Sequence, residues 1–270
     1  MNRTTTNLKA YNKRMKEVIV MKTTVQYFLI LMSLIIASYL VDTATAADKS
    51  EVLYLTFDDD KPKDLSPNKT PLANILKRAK LVKGVVGKAW LFDNNTAVLI
   101  DHQTFNTAFQ ESTFSVWLKE PDKDGILYEE GGGTNGYAVT LVGGKVEFAT
   151  RDGGNQTTIK ANYPFDGKWH TVITVFDQGT MQLYIDGVLK KEKSKVAGIG
   201  GHGNEMGIGQ VNGGSAGGVV PKFTGTMDEF RITRRALTEK EIQDMIKDLL
   251  PVERFQKIST TWGAIKIHHN

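Results

Sequence analysis

The segment Trp169–Leu189, WHTVITVFDQGTMQLYIDGVL, decides the fold. Its first eight residues are mostly β-branched or aromatic, the types that fit a pleated, half-buried surface. Asp177-Gln178-Gly179-Thr180 then has turn chemistry. Met181, Leu183 and Ile185 alternate with Gln182 and Tyr184, so the two sets point to opposite faces of a strand. Asp186-Gly187 supplies the positive φ angles of a type I′ hairpin, and Val188-Leu189 begin the return strand.

Working outward, more strands of the same kind follow from the pattern. Glu51–Phe57 alternates, with Leu53, Leu55 and Phe57 on one side. Ala89–Phe92 and Ala97–Ile100 read as a hairpin around Asp93-Asn94-Asn95. Phe114–Lys119, Gly125–Glu129, Tyr137–Leu141, Lys145–Thr150 and Thr157–Ala161 are successive short strands, separated by turns such as Gly143-Gly144 and Asp152–Asn155. Pro71–Lys83 is read as irregular, although Leu72, Ile75, Leu76 and Ala79 have helical spacing. Glu205–Gly209 reads as a strand inside the glycine-rich run Gly198–Gly218, and Phe223–Ile232 closes the series. Only Thr238–Leu250 predicts a helix. Thr238 and Glu241 form a capping box, Ile242, Met245, Ile246 and Leu249 give an apolar face, and Pro251 stops it. The expectation is an all-β, antiparallel two-sheet β-sandwich with one short C-terminal helix.

Four segments carry a family resemblance. Trp169-His170-x-Val172 with Leu183-Tyr184-Ile185-Asp186-Gly187, Gly87–Asp93, Phe114–Lys119, and Phe223–Ile232 with Arg235–Ile242 occur in the order seen in laminin-G-like jelly-roll domains. The chain from about Glu51 to Leu249 therefore resembles the concanavalin A-like lectin and glucanase superfamily. Asp64-Leu65-Ser66-Pro67-Asn68 departs from that family's Asp-x-Ser-Gly-Asn, proline standing where glycine is usual. The resemblance implies a jelly roll, and a Ca²⁺ ion held between the first and closing strands by Asp58 and Asp228. The alternative is that Asp58 caps a turn and Asp228 pairs with Arg231 or Arg234.

Composition narrows the function. The 270 residues include no cysteine, so there is no disulfide or thiolate–metal framework. The formal charge of +4 resides in residues 1–47, where Arg3, Lys9, Lys13, Arg14, Lys16 and Lys22 face only Glu17 and Asp42. The remainder is neutral, which argues against nucleic acid as a partner. Val25–Val41 is apolar and Ala44-Thr45-Ala46-Ala47 offers small-residue cleavage geometry, so residues 1–47 read as a secretory signal with a basic extension, starting at Met1 or at Met21. The competing reading is an uncleaved anchor. The expected layout is signal 1–47, jelly roll 48–250 and tail 251–270, with no membrane insertion once the signal is removed.

No catalytic constellation stands out. Glycoside hydrolases of the superfamily carry Glu-x-Asp-x-(x)-Glu on one strand, which sets two carboxylates on one face. That pattern is missing here, and Glu129 and Glu130 are adjacent and so face opposite sides. Gly198-x-Gly200-x-x-Gly203 matches a dinucleotide motif only by letter, because no strand–helix unit surrounds it. His170 beside Trp169 reads as structural, and His102, His202, His268 and His269 lack zinc spacing. The reading is a secreted, non-catalytic binding module for a glycan, with loops Glu129–Gly136, Arg151–Gln156 and Gly198–Val220 as the rim that would hold it. The alternatives are a protein-binding adhesion or scaffold module that uses the tail around Trp262 to bind a cell-surface or matrix protein, and a polysaccharide hydrolase or lyase with an unrecognised site.

Overall fold

A computed structural model describes residues 48–72, 74–75, 79–203 and 205–249, together with Met15, Gln26 and Tyr27. The signal segment with its cleavage site, and the tail 251–270, lie outside the described residues. Met1–Asp48 and Lys49–Asn270 are separate units, and the sandwich belongs to the second.

Fifteen described strands build it: β1 Glu51–Leu55, β2 Asn74–Ile75, β3 Lys80–Lys83, β4 Lys88–Phe92, β5 Val98–Asp101, β6 Glu111–Lys119, β7 Gly125–Gly131 and β8 Gly136–Val142. They continue with β9 Lys145–Asp152, β10 Asn155–Asn162, β11 His170–Asp177, β12 Thr180–Ile185, β13 Val188–Lys193, β14 Glu205–Ile208 and β15 Gly225–Thr233. A helix, α1 Glu239–Leu249, follows. Sheet A has the order β13-β12-β11-β6-β15-β4-β3, with β1 also on β15. Sheet B has the order β10-β9-β8-β7-β14-β5-β2. All pairings are antiparallel, and the architecture is the β-sandwich expected from the alternation.

The deciding segment folds as read. β11 pairs β12 from Val172↔Ile185 to Asp177↔Thr180. Gln178 and Gly179 (φ 42° and 86°), like Asp186 and Gly187 (54° and 70°), take the positive φ pairs of tight hairpins. Met181, Leu183 and Ile185 enter the main core between the sheets. Tyr184 points outward from sheet A with Trp117, Ile173 and Val175, and Ile242 and Ile246 of α1 cover them as a second core. The capping box is made: Thr238 N donates to Glu241 Oε2 at 2.8 Å and Glu241 N to Thr238 Oγ1 at 3.3 Å.

Two expectations need correction. Ala89–Phe92 and Ala97–Ile100 do not form a hairpin. β4 pairs β15 and β3 in sheet A, and β5 pairs β14 and β2 in sheet B. Asp93 Oδ1 accepts from Asn95 N and Thr96 Oγ1, a turn that sends the chain across the sandwich instead of back along itself. Within Pro71–Lys83, Lys80–Lys83 is not irregular but the edge strand of sheet A.

β15 organises one edge. Its first residues pair β4 and its last pair β1, and between these a bulge sets Glu229 at φ 51°. Asp64 organises the loop after β1, its carboxylate accepting from Tyr54 N, Ser66 N, Ser66 Oγ and Thr70 N. Proline at position 67 is therefore compatible with the loop. At the opposite edge of sheet A, β13 exposes all six side chains, Lys190, Lys191 and Lys193 among them.

Candidate functional site

The three rim loops meet at one end of sheet B, where β7 and β9 finish and β8, β10 and β14 begin. Asn135 joins them: its Nδ2 donates to Gly201 O at 2.9 Å and its Oδ1 accepts from Gly153 N at 2.9 Å. Arg151 is the second brace. Its Nη1 donates to Gly133 O (3.2 Å), its Nε to Ala216 O (3.2 Å) and its Nη2 to Gln156 Oε1 (2.8 Å). Backbone bonds from Gly154 N to Thr134 O and from Gly132 N to Asn135 O complete the rim. Glycine content alone marked these loops in the sequence. Asn135 and Arg151 were not singled out, since their role depends on which loops become neighbours.

Gly198–Gly218 divides in two around β14. Residues 209–217 lie over the outer face of sheet B, where a side chain at Gly217 would meet Thr140 and Ala138 at 3.0 and 3.3 Å. This covering buries Glu129, which points outward from β7. Its Oε1 accepts from Asn212 N at 2.6 Å, while its Oε2 has no partner. Burial pushes its pKa up to about 8, opposed by the Asn212 N–H and reinforced by Glu130 and Glu205.

Glu130 faces inward, as adjacency requires. Arg234, just past β15, reaches it across the sandwich with Nη2 2.5 Å from Oε2, and donates Nη1 to Ser112 Oγ at 3.1 Å. The guanidinium lies 4.3 Å from the ring centre of Phe109. Tyr128, inside the same cluster, is raised well above the usual phenol range, first by burial and then by Glu130. These carboxylates are thus split between two faces, not paired across a scissile bond.

Asp58 and Asp228 are both drawn to the β3–β4 turn. Asp58 Oδ1 accepts from Lys88 N at 2.8 Å. Asp228, fully buried at the bulge of β15, accepts from Val85 N (2.8 Å) and Val86 N (3.2 Å) on Oδ2 and from Glu229 N (3.0 Å) on Oδ1. Burial raises its pKa to about 8, against the Val86 N–H. It pairs with neither Arg231, which meets Glu51 and Glu229, nor Arg234. A side chain at Gly84 would meet Asp228 Oδ2, Val86 O and Lys88 O, each at 2.5 Å. A carboxylate and two carbonyls therefore border a space that only glycine leaves open, and oxygen is the donor type a hard cation takes. Among the described residues no three His, Cys, Asp or Glu side chains form a metal-binding group. These oxygens are of the type Ca²⁺ would take, and Asp228 with the Val86 and Lys88 carbonyls would be the residues to hold it.

His170 bridges two carboxylates, Nδ1 to Asp186 Oδ2 at 2.7 Å and Nε2 to Asp166 Oδ1 at 2.8 Å. Gly198, Gly200 and Gly203 lie in a strap with strand β14 after it, not a helix. Among the described residues no helix is long and apolar enough to cross a membrane.

Comparison with known proteins agrees with this architecture. No curated protein matches the chain. Among solved structures, it is similar to the binding domain of Paraclostridial Mosquitocidal Protein 1, with a TM-score of 0.61, 21% identity, and 73% of this chain and 52% of that one covered. It is also similar to the binding domain of Botulinum Neurotoxin DC in complex with SialylT, with a TM-score of 0.60, 15% identity and coverage of 75% and 52%. The same toxin's binding domain in complex with rat synaptotagmin II gives 0.58, 14%, 76% and 52%. The chain spans about half the length of each, and at these identities the likeness is one of fold. The family Laminin_G_3, described as concanavalin A-like lectin/glucanases superfamily, matches residues 92–243, more than half of the sequence. With the two antiparallel sheets and their register, that match makes the chain a member of the Laminin_G_3 family.

Proposed function

We propose that the protein is a secreted, non-catalytic binding module whose ligand is a glycan held at the rim and the adjoining outer face of sheet B. The observation that carries this reading is the convergence of three loops from separate parts of the chain, braced by Asn135 and Arg151. A site braced by the scaffold is pre-organised, so less ordering is lost on binding. The similar structures are binding domains, one solved with SialylT, which supports a glycan. Another was solved with rat synaptotagmin II, which supports a cell-surface or matrix protein as the second reading.

The proposal includes a structural Ca²⁺ held by Asp58, Asp228 and the carbonyls of Val86 and Lys88. Asp228 faces outward from sheet A and the rim belongs to sheet B, so the ion acts on the fold and not on the ligand. The test is glycan-array binding of the full chain, with calcium and with chelator, beside thermal melts. Wild type binds a defined glycan class and Arg151→Ala loses that binding. Calcium raises Tm in wild type and not in Asp228→Asn. Array binding by neither protein removes the glycan reading, and a Tm indifferent to calcium and chelator removes the ion.

A further inference from the structure

The strap formed by residues 198–203 crosses the end of the sandwich and has a different neighbour on each side. On one side Gly201 O accepts from Asn135 of the rim. On the other, Ile199 and Phe109 exchange backbone hydrogen bonds, and His202 N donates to Asn106 O. Beyond that second side lies a pocket of about 350 Å³, lined by Thr107, Ala108, Phe109, Gln110, Glu111 and Arg234. Gly198 makes room for one wall, because a side chain there would strike the Gln110 amide at 2.2 Å. Glu111 is held in place by Gln178 Nε2 at 3.0 Å.

The chemistry of the lining selects its occupant. Arg234 has five N–H donors, and hydrogen bonds to Ser112 and Glu130 use two of them. Its Nε, like Glu130 Oε1 and Tyr128 OH behind it, is buried away from the pocket, so only the outer face of the guanidinium is presented to an occupant. The Arg234 charge is balanced by buried Glu130, and Glu111 adds a carboxylate to the wall, so an anion gains little there. A cation would meet the guanidinium. Hydroxyl groups both donate and accept, and they match a lining of guanidinium, carboxylate, amide and threonine hydroxyl. The volume is near the lower end for small-molecule sites, about 300–1,000 Å³, and has room for one sugar ring.

We infer that this pocket is a subsite for one neutral monosaccharide unit, the terminal ring of the glycan that the rim holds across the strap. The inference rests on the glycan reading of the rim. The test uses isotope-labelled full chain titrated with free glucose, galactose, N-acetylglucosamine and N-acetylneuraminic acid, to concentrations on the order of 10 mM. Ala108→Trp fills the mouth from an exposed position and leaves the Arg234–Glu130 pair untouched. A neutral sugar is expected to shift the amides of residues 107–111. Ala108→Trp should weaken it by roughly tenfold or more, and N-acetylneuraminic acid should leave those amides unmoved.

Three results overturn the inference. They are no shift at 107–111 with any neutral sugar, equal binding of the acidic sugar, and an undiminished response in Ala108→Trp. The array separates this failure from failure of the rim. Oligosaccharide binding that survives Ala108→Trp and disappears with Arg151→Ala keeps the rim site and discards the pocket. An array blank for wild type, with shifts at 107–111 retained, discards the rim and with it the pocket's role as a terminal subsite, leaving only an independent sugar site.

Discussion

His170 is held between Asp166 and Asp186, its ring centre 5.6 Å from that of Tyr163 in an edge-to-face contact. Burial pulls its pKa down, but the hydrogen bonds and charges of the two aspartates outweigh this and raise it. Asp166 in turn is held below the usual carboxylate range by His170. A histidine with a raised folded pKa stabilises in full below its unfolded value, about 6.5, and loses that stabilisation as pH rises through the folded value. Melts of wild type and His170→Gln should therefore converge as pH rises from about 6 through the folded pKa, with wild type ahead at the acidic end. A constant gap across that range would show a clip of shape only. Asp186 is also fixed by the N–H of Thr171 at 3.0 Å. The sequence showed a structural histidine but not its partners, because Asp186 reaches it only after the β11–β12 hairpin has set its register.

At the scale of elements, what could be read locally was read. The helix carried its own instructions in the Thr238–Glu241 box and the spacing of Ile242, Met245, Ile246 and Leu249. α1 covers Trp117, Ile173, Val175 and Tyr184 on the outer face of sheet A. Ile242 is fully buried there, so Ile242→Ala should cost about 2–5 kcal/mol, read as a lower denaturant midpoint with an unchanged slope. A cost near zero would mean the helix does not seal that face. The β4–β5 connection was not legible for the converse reason. Asp93–Thr96 looks like any short turn, and the choice of sheet for each strand depends on partners far along the chain, β15 for one and β14 for the other.

Across the whole molecule, the Glu130–Arg234 pair ties sheet B to the end of sheet A, with the carboxylate fully buried. Removing one partner leaves a buried charge uncompensated, so Arg234→Leu should cost about 3–5 kcal/mol. Adding Glu130→Leu should return most of the loss, since two apolar groups can replace a buried pair. If the double variant is no more stable than the single one, the pair is not the source of the loss. The rim was legible as three loops, because glycine and turn residues mark them, while the braces and the end pocket come only from long-range folding. The open edge at β13 has a consequence for how copies of the protein meet. Two such edges approaching each other would bring Lys190, Lys191 and Lys193 of one molecule against the same lysines of the next. This is a self-excluding seam whose range shrinks with the Debye length, from about 10 Å at 0.1 M salt to about 3 Å at 1 M, so concentrated brine is the condition in which neighbouring copies begin to zip together.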